Sequence, residues 1–351
     1  MYYFCDGTKF GSKISALEYK RKTSLEPNFY YFDDVYDKVN WKVEPSESLD
    51  FYYREQAQRI RDTYDYVILC YSGGYDSTNI LETFHYNNIK LDKIIIVGAT
   101  SQDSSSYVDE NHNGELYHNA FPYVDQLGLS SITEIIDYTK YFKDVNQFSI
   151  VQHQDEWIHE TGGWFSPHHF FWRDVEKFVI PASWQDKKVA IIFGKDKPYI
   201  SIKNRKFGFE FKDIAIQGYG NKSVHNEINC DRINFYWDPS YPQILVKQLH
   251  VLLKKYIGSN YDLNYNGEMG HDVIGKISTN DMIYNLKRPL LFKSPKSPLK
   301  IISLRDQYLL NNKNSDIYRF YESGLMSLKN KLPWDEVKDM EIVHSKFYSI
   351  I

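Results

Sequence analysis

The sequence predicts an α/β protein: an open parallel sheet with helices on both faces, followed by a mostly helical C-terminal region. Three observations predict it. Apolar, β-branched runs recur at residues 66–70 (YVILC), 91–99 (LDKIIIVGA), 131–138 (SITEIIDY) and 189–193 (VAIIF), and continuous rather than alternating apolarity marks strands covered on both faces. Helix-periodic segments separate the first three runs, giving the strand-helix-strand-helix-strand order of a parallel, helix-covered sheet. A loop of glycine and serine, residues 72–77 (SGGYDS), joins the first run to a helix with almost no chain between them. The 351 residues suffice for one large domain with additions. The expected division is an accessory segment at 1–50, the main α/β domain at 51–258 and the helical region at 259–351.

Each element has a local reason. Residues 1–50 mix aromatic and charged side chains with turn signals at Asp6-Gly7 and Glu44-Pro45-Ser46, as a short hairpin and a helix packed on the main domain would. Residues 51–64 (FYYREQAQRIRDTY) read as an amphipathic helix that Ser48 or Asp50 is placed to cap. After the loop, Thr78, Ile80, Leu81 and Phe84 fall at helical spacing. Residues 103–119 are polar, and their His112 and His118 have no third ligand at a defined spacing, so they read as a solvated loop; residues 120–129 read as a helix. His168 and His169 open another helix and, as neighbours on it, point about 100° apart, which argues against a shared metal and leaves one of them open as a substrate contact. Lys203, Asn204, Arg205 and Lys206 precede residues 207–220 (FGFEFKDIAIQGYG), whose alternation of aromatic and polar residues suggests a β-hairpin near the site. The clearest helix lies in residues 235–257, starting between Asp238 and Pro242, striped by Leu245, Leu249, Leu252 and Tyr256 and ending at Gly258. Beyond it, helices are expected at 303–310 and 317–332, after a basic, proline-broken segment at 287–298.

The loop at 72–77 is the stretch that points to chemistry. Backbone N–H groups at a helix start carry partial positive charge, and two glycines let the backbone approach an oxyanion with no Cβ in the way. Ser72 and Ser77 add hydroxyl donors. The spacings G-x-x-x-x-G-K-[ST] and G-x-G-x-x-G are both absent here. Asp76 is the odd member, because a carboxylate beside bound phosphates is repelled unless Mg²⁺ lies between them or a helix terminus compensates.

SGGYDS matches the S-G-G-x-D-S loop of the PP-loop ATP pyrophosphatases, an adenine nucleotide alpha hydrolase-like superfamily that the chain resembles. Asparagine synthetase, GMP synthetase, argininosuccinate synthase, NAD synthetase, tRNA thiolation and lysidine enzymes and phosphoadenosine phosphosulfate reductase belong to it. The resemblance implies ATP and Mg²⁺ as cofactors, with cleavage between the α and β phosphates. It implies that Ser72, Gly73, Gly74 and Ser77 hold the pyrophosphate and that Asp76 positions Mg²⁺. Gly98, Ala99 and Thr100, at the end of the second strand, would lie beside the adenine and ribose. After the fourth strand, Gly194-Lys195-Asp196-Lys197-Pro198 would face the phosphates, with Lys195 and Lys197 stabilising charge on the departing pyrophosphate and Asp196 as a second Mg²⁺ ligand. The stretch FYWDPSYPQILVKQ is loosely similar to phage-encoded members and brings no substrate with it.

Composition and absences narrow the reaction. Basic and acidic residues number 42 and 46, a net charge of -4 that advertises no global nucleic-acid field, although a local patch stays open. The 30 Tyr and 21 Phe, with abundant Lys, Asn and Ile, suggest an AT-rich genome rather than a chemistry. No basic-then-apolar leader and no long apolar run is present, so a cytoplasmic protein with no membrane association is expected, in the host cytoplasm if viral. Cys5, Cys70 and Cys230 are too scattered for a disulfide framework, a C-x-x-C site or a thiolation pair, and no cysteine follows Cys230 to serve a reductase tail. What remains is adenylation of an oxygen followed by attack of an amine or ammonia, on a small molecule or nucleotide, with nucleic acid and an external nitrogen donor as candidate partners. A reductase-like enzyme and a non-catalytic ATP-binding subunit are the alternatives.

Overall fold

The computed structural model describes residues 2–98, 116–160, 168–194, 199–211, 213, 227–258, 267–268, 313–331 and 343–351. The chain opens with the hairpin β1 (Tyr2–Cys5) and β2 (Thr8–Phe10). Its two-residue turn, Asp6-Gly7, is left-handed at both positions (φ 47° and 79°), the backbone that Asp-Gly supplies at least cost. Helix α1 (Lys13–Thr23) is capped by Ser12, which accepts from the Ser15 N–H, and β3 (Asn28–Tyr30) then pairs with β1. A single turn, α2 (Asp33–Tyr36), precedes α3 (Leu49–Thr63), whose cap is Ser48, accepting from the Phe51 N–H.

The main sheet follows. Its elements are β4 (Tyr66–Cys70), α4 (Tyr75–Tyr86), β5 (Lys93–Gly98), α5 (Phe121–Gln126), β6 (Thr133–Asp137), α6 (His168–Arg173), α7 (Val175–Val179) and β7 (Val189–Phe193). The hairpin β8 (Tyr199–Lys203) and β9 (Lys206–Glu210) intervenes before β10 (Cys230–Asn234) and α8 (Gln243–Gly258). The strands stand in the order β10-β7-β4-β5-β6, and every pairing is parallel. Alternate residues of β4 serve opposite faces. Val67 and Leu69 join one core with Ile60 of α3, Phe84 of α4 and Leu249 of α8. Ile68 and Cys70 join a second core with Phe171 of α6, Val175 of α7 and Tyr321 of α9 (Asp316–Lys331). Helices therefore cover both faces, as continuous apolar strands require.

The first four strands of this sheet lie within a residue or two of the sequence expectation, but β10 was not anticipated. Its sequence, CDRIN, carries charge where a central-looking strand would carry Val or Ile. Arg232 is nonetheless buried, because its guanidinium donates to both carboxylate oxygens of Glu176 on α7 and to the Arg173 carbonyl at 2.6 Å. The helix expected within 235–257 starts at Gln243, after the Asp238–Pro242 turn.

A second, antiparallel sheet runs β11-β8-β9-β12, in which β11 (Gly267–Glu268) and β12 (Tyr348–Ser349) come from the C-terminal region. The described residues of that region hold the helix α9 and these two short strands. A hairpin is present, but it lies earlier than the alternation at 207–220 implies: only β9 falls within that stretch, β8 precedes the basic cluster, and the cluster itself forms the turn, with Asn204 and Arg205 at φ 51° and 62° between the paired Lys203 and Lys206. The helix expected at 303–310 and the basic segment at 287–298 lie outside the described residues. Among those described, no helix is long and apolar enough to cross a membrane.

Candidate functional site

Counted in chain order, the main-sheet strands β4, β5, β6, β7 and β10 stand 3-2-1-4-5 across the sheet, so the winding direction reverses between β4 and β7. In open parallel sheets the crevice outside the carboxyl ends at this switch point is where ligands bind. Ladder register puts Asn234, Phe193, Cys70, Ile95 and Glu134 in one row across the five strands. The loop 72–77 leaves this row from β4, and Gly194 leaves it from β7. Gly98 is three residues beyond Ile95, at the carboxyl end of β5 and about 10 Å further along at the usual strand rise.

Within the loop, Gly73 takes φ 82°, a conformation that costs glycine nothing and an L-residue strain. Gly74 is the N-cap of α4 and, as glycine, brings no capping side chain. The loop is closed from below by Ser77, which is 3% exposed. Its hydroxyl accepts from the Ser72 N–H at 3.2 Å and donates to the Gly74 carbonyl at 3.2 Å. The exposed Ser72 hydroxyl lies 3.1 Å from the Ser77 hydroxyl and accepts from the Gly74 N–H at 3.3 Å. The two serines that the motif pairs as ligand donors thus differ in place: Ser72 faces outward, and Ser77 braces the turn.

Two neighbours fix the start of α4 from outside. Gly194 comes so close that a Cβ built on it would lie 2.8 Å from the Ser77 nitrogen and 3.0 Å from the Asp76 carbonyl carbon. Tyr236, just past the end of β10 and fully buried, donates its hydroxyl proton to the Asp76 carbonyl at 2.6 Å and accepts from Asn79 Nδ2 at 3.0 Å. The Tyr53 phenol is pushed up chiefly by its burial and further by the charges of Asp76 and Asp50.

Neither the family models nor the curated proteins include a match to this chain.

Of the residues singled out in the sequence, Ser72, Gly73, Gly74, Asp76 and Ser77 form one contiguous turn, and Gly98 lies on the same sheet edge. Ala99, Thr100, Lys195, Asp196 and Lys197 lie outside the described residues, as does His112. Among the described residues no group of three or more His, Cys, Asp or Glu side chains clusters as a metal cage. A full cage is not what Mg²⁺ requires, since that ion is commonly held by one or two carboxylates plus substrate phosphates and water, and Asp76 supplies one carboxylate at the start of α4. All three cysteines are buried, and burial pushes the Cys230 thiol well up. The sequence missed Tyr236 and Asn79 as parts of the site. Tyr236 fell inside the stretch read as an approach to a helix, and nothing in a lone tyrosine signals a contact with a turn 160 residues earlier.

Proposed function

We propose that this chain is an ATP-dependent enzyme of the PP-loop type that cleaves ATP between the α and β phosphates to activate an oxygen for displacement by an amine or ammonia. One observation carries the reading: an S-G-G-x-D-S turn sits at the carboxyl end of the first main-sheet strand, at the switch point of a 3-2-1-4-5 parallel sheet. The N–H groups around Gly73 and Gly74 and the Ser72 hydroxyl bind the β and γ phosphates, Ser77 holds the turn in shape, and Asp76 holds Mg²⁺. A Mg²⁺ held by Asp76 would supply positive charge against the phosphates. Lys195 and Lys197, which follow Gly194 in the sequence, take the charge of the departing pyrophosphate in this reading.

In the first step the acceptor oxygen attacks the α phosphorus, the bond to the bridging oxygen breaks, and pyrophosphate leaves. In the second, nitrogen attacks the carbon carrying the adenylated oxygen, that carbon–oxygen bond breaks, and AMP leaves as the nitrogen loses a proton. A nucleobase or nucleotide is the favoured acceptor class. Burial of all three cysteines weighs against a reductase or sulfur-transfer alternative, because a reactive thiol needs access and thiolate character.

The test is the fate of ATP. With Mg²⁺, ATP and pooled metabolites and nucleic acid, AMP and pyrophosphate are expected from the wild type. Asp76→Asn is expected to fall by about two orders of magnitude, the scale of losing one charge-stabilising group. ADP as product, or equal turnover by Asp76→Asn, contradicts the assignment.

A further inference from the structure

We infer that Tyr236 is a positioning residue for the phosphate-binding turn, acting through the Asp76 carbonyl. The inference rests on the nucleotide reading above and adds to it a residue that no motif contains. Three facts make it. The Tyr236 hydroxyl donates to the Asp76 carbonyl at 2.6 Å, inside the first turn of α4, where the peptide units whose N–H groups face the crevice are set. The same hydroxyl accepts from Asn79 Nδ2 at 3.0 Å, so it bridges the first and second turns of the helix. Its ring is fully buried and packs edge-on against Tyr53 of α3 at 5.7 Å between centroids and against Phe235 at 5.3 Å, which gives it little freedom to follow a moving helix.

The arrangement ties the end of β10 to the start of α4 across the site. β7 stands between β10 and β4, so ladder pairing alone links β10 to the turn only through two other strands. The tyrosine makes the link directly. A carbonyl held by a fixed hydroxyl fixes the plane of its own peptide unit, and that unit's other end is the Ser77 nitrogen. The first turn of α4, which the Gly73-Gly74 donors adjoin, is thus held from behind by a residue that need not touch the anion. Losing one such hydrogen bond while keeping the ring removes the orientation and leaves the packing.

The experiment compares wild type with Tyr236→Phe in the full chain by two measurements: amide hydrogen exchange over residues 72–86, and calorimetric titration with MgATP. Phenylalanine keeps the ring in its pocket. Exchange in the first turn of α4 is expected to quicken selectively and the ATP dissociation constant to rise roughly 3- to 10-fold, the worth of one net hydrogen bond. Exchange in β4 and β7 is expected to stay unchanged. A general loss of structure would instead quicken all three segments, and that outcome overturns the inference. Unchanged exchange in the first turn with unchanged affinity overturns it too, and leaves the nucleotide reading standing. No ATP binding by the wild type overturns both, and is told apart because the wild-type titration alone shows it.

Discussion

Gly194→Ala is expected to lower ATP turnover about 100-fold while the protein stays folded, the cost of displacing a catalytic geometry by a fraction of an ångström to one ångström. The added Cβ would meet only backbone: the Ser77 nitrogen at 2.8 Å, and the Asp76 carbonyl carbon and Ser77 Cα at 3.0 Å. No side chain can rotate out of the way. Gly194 has no left-handed φ that alanine would resist, so the clash acts alone. On one side β7 is held by a five-residue ladder to β4 and by another to β10. On the other, α4 begins two residues after a Gly73 already at φ 82°. The softer partner is the turn, so the first turn of α4 moves and its donors leave their aim. Overpacking of this kind costs on the order of 1–3 kcal/mol in stability, a loss visible as a lower denaturation midpoint with the native far-UV spectrum intact. Steady-state AMP release by the variant checks it, and turnover within twofold of wild type would show that the close approach does not govern the turn.

Asp213→Ala is expected to destabilise the protein by about 3–5 kcal/mol, the usual cost of stranding a buried charge. Lys13 Nζ lies 2.8 Å from Asp213 Oδ2, and both side chains are fully buried. The Tyr3 hydroxyl donates to the same carboxylate oxygen at 2.9 Å, and the Val343 N–H donates to the other at 3.2 Å. Burial pushes the Asp213 carboxyl up despite the lysine beside it. One carboxylate thus joins β1, α1 and the C-terminal residues in a single buried cluster. Deleting it leaves the Lys13 ammonium with no counter-charge in an apolar setting. A double variant, Lys13→Met with Asp213→Asn, removes the charge while leaving an amide for Tyr3, and is expected to recover at least half of the loss. Urea denaturation of the singles and the double measures the coupling. A single-variant loss under 1 kcal/mol would show that the pair is not what anchors these segments.

The parts of the fold legible in the sequence are those whose physics is local. β4, β5, β6 and β7 announce themselves because burial on both faces demands unbroken apolar runs, and the Asp6-Gly7 turn because few residues adopt its backbone. β10 hides because Arg232 is solved by a partner, Glu176, that lies 56 residues away. β11 and β12 are two residues long and owe their form to β8 and β9 rather than to propensity. The site divides in the same way. Its turn is a contiguous motif and could be read directly, whereas the distinct roles of Ser72 and Ser77, the approach of Gly194 and the hydroxyl of Tyr236 arise only once β4, β7 and β10 stand side by side.

The central claim is that residues 72–77 receive the pyrophosphate half of ATP. Calorimetric titration of the wild type with MgATP, in the absence and presence of saturating inorganic pyrophosphate, tests it with no need to know the acceptor. One site per chain is predicted, with pyrophosphate and ATP excluding each other and Gly73→Ala weakening both by the same factor. ATP binding that pyrophosphate leaves untouched, or no binding of either, would contradict it.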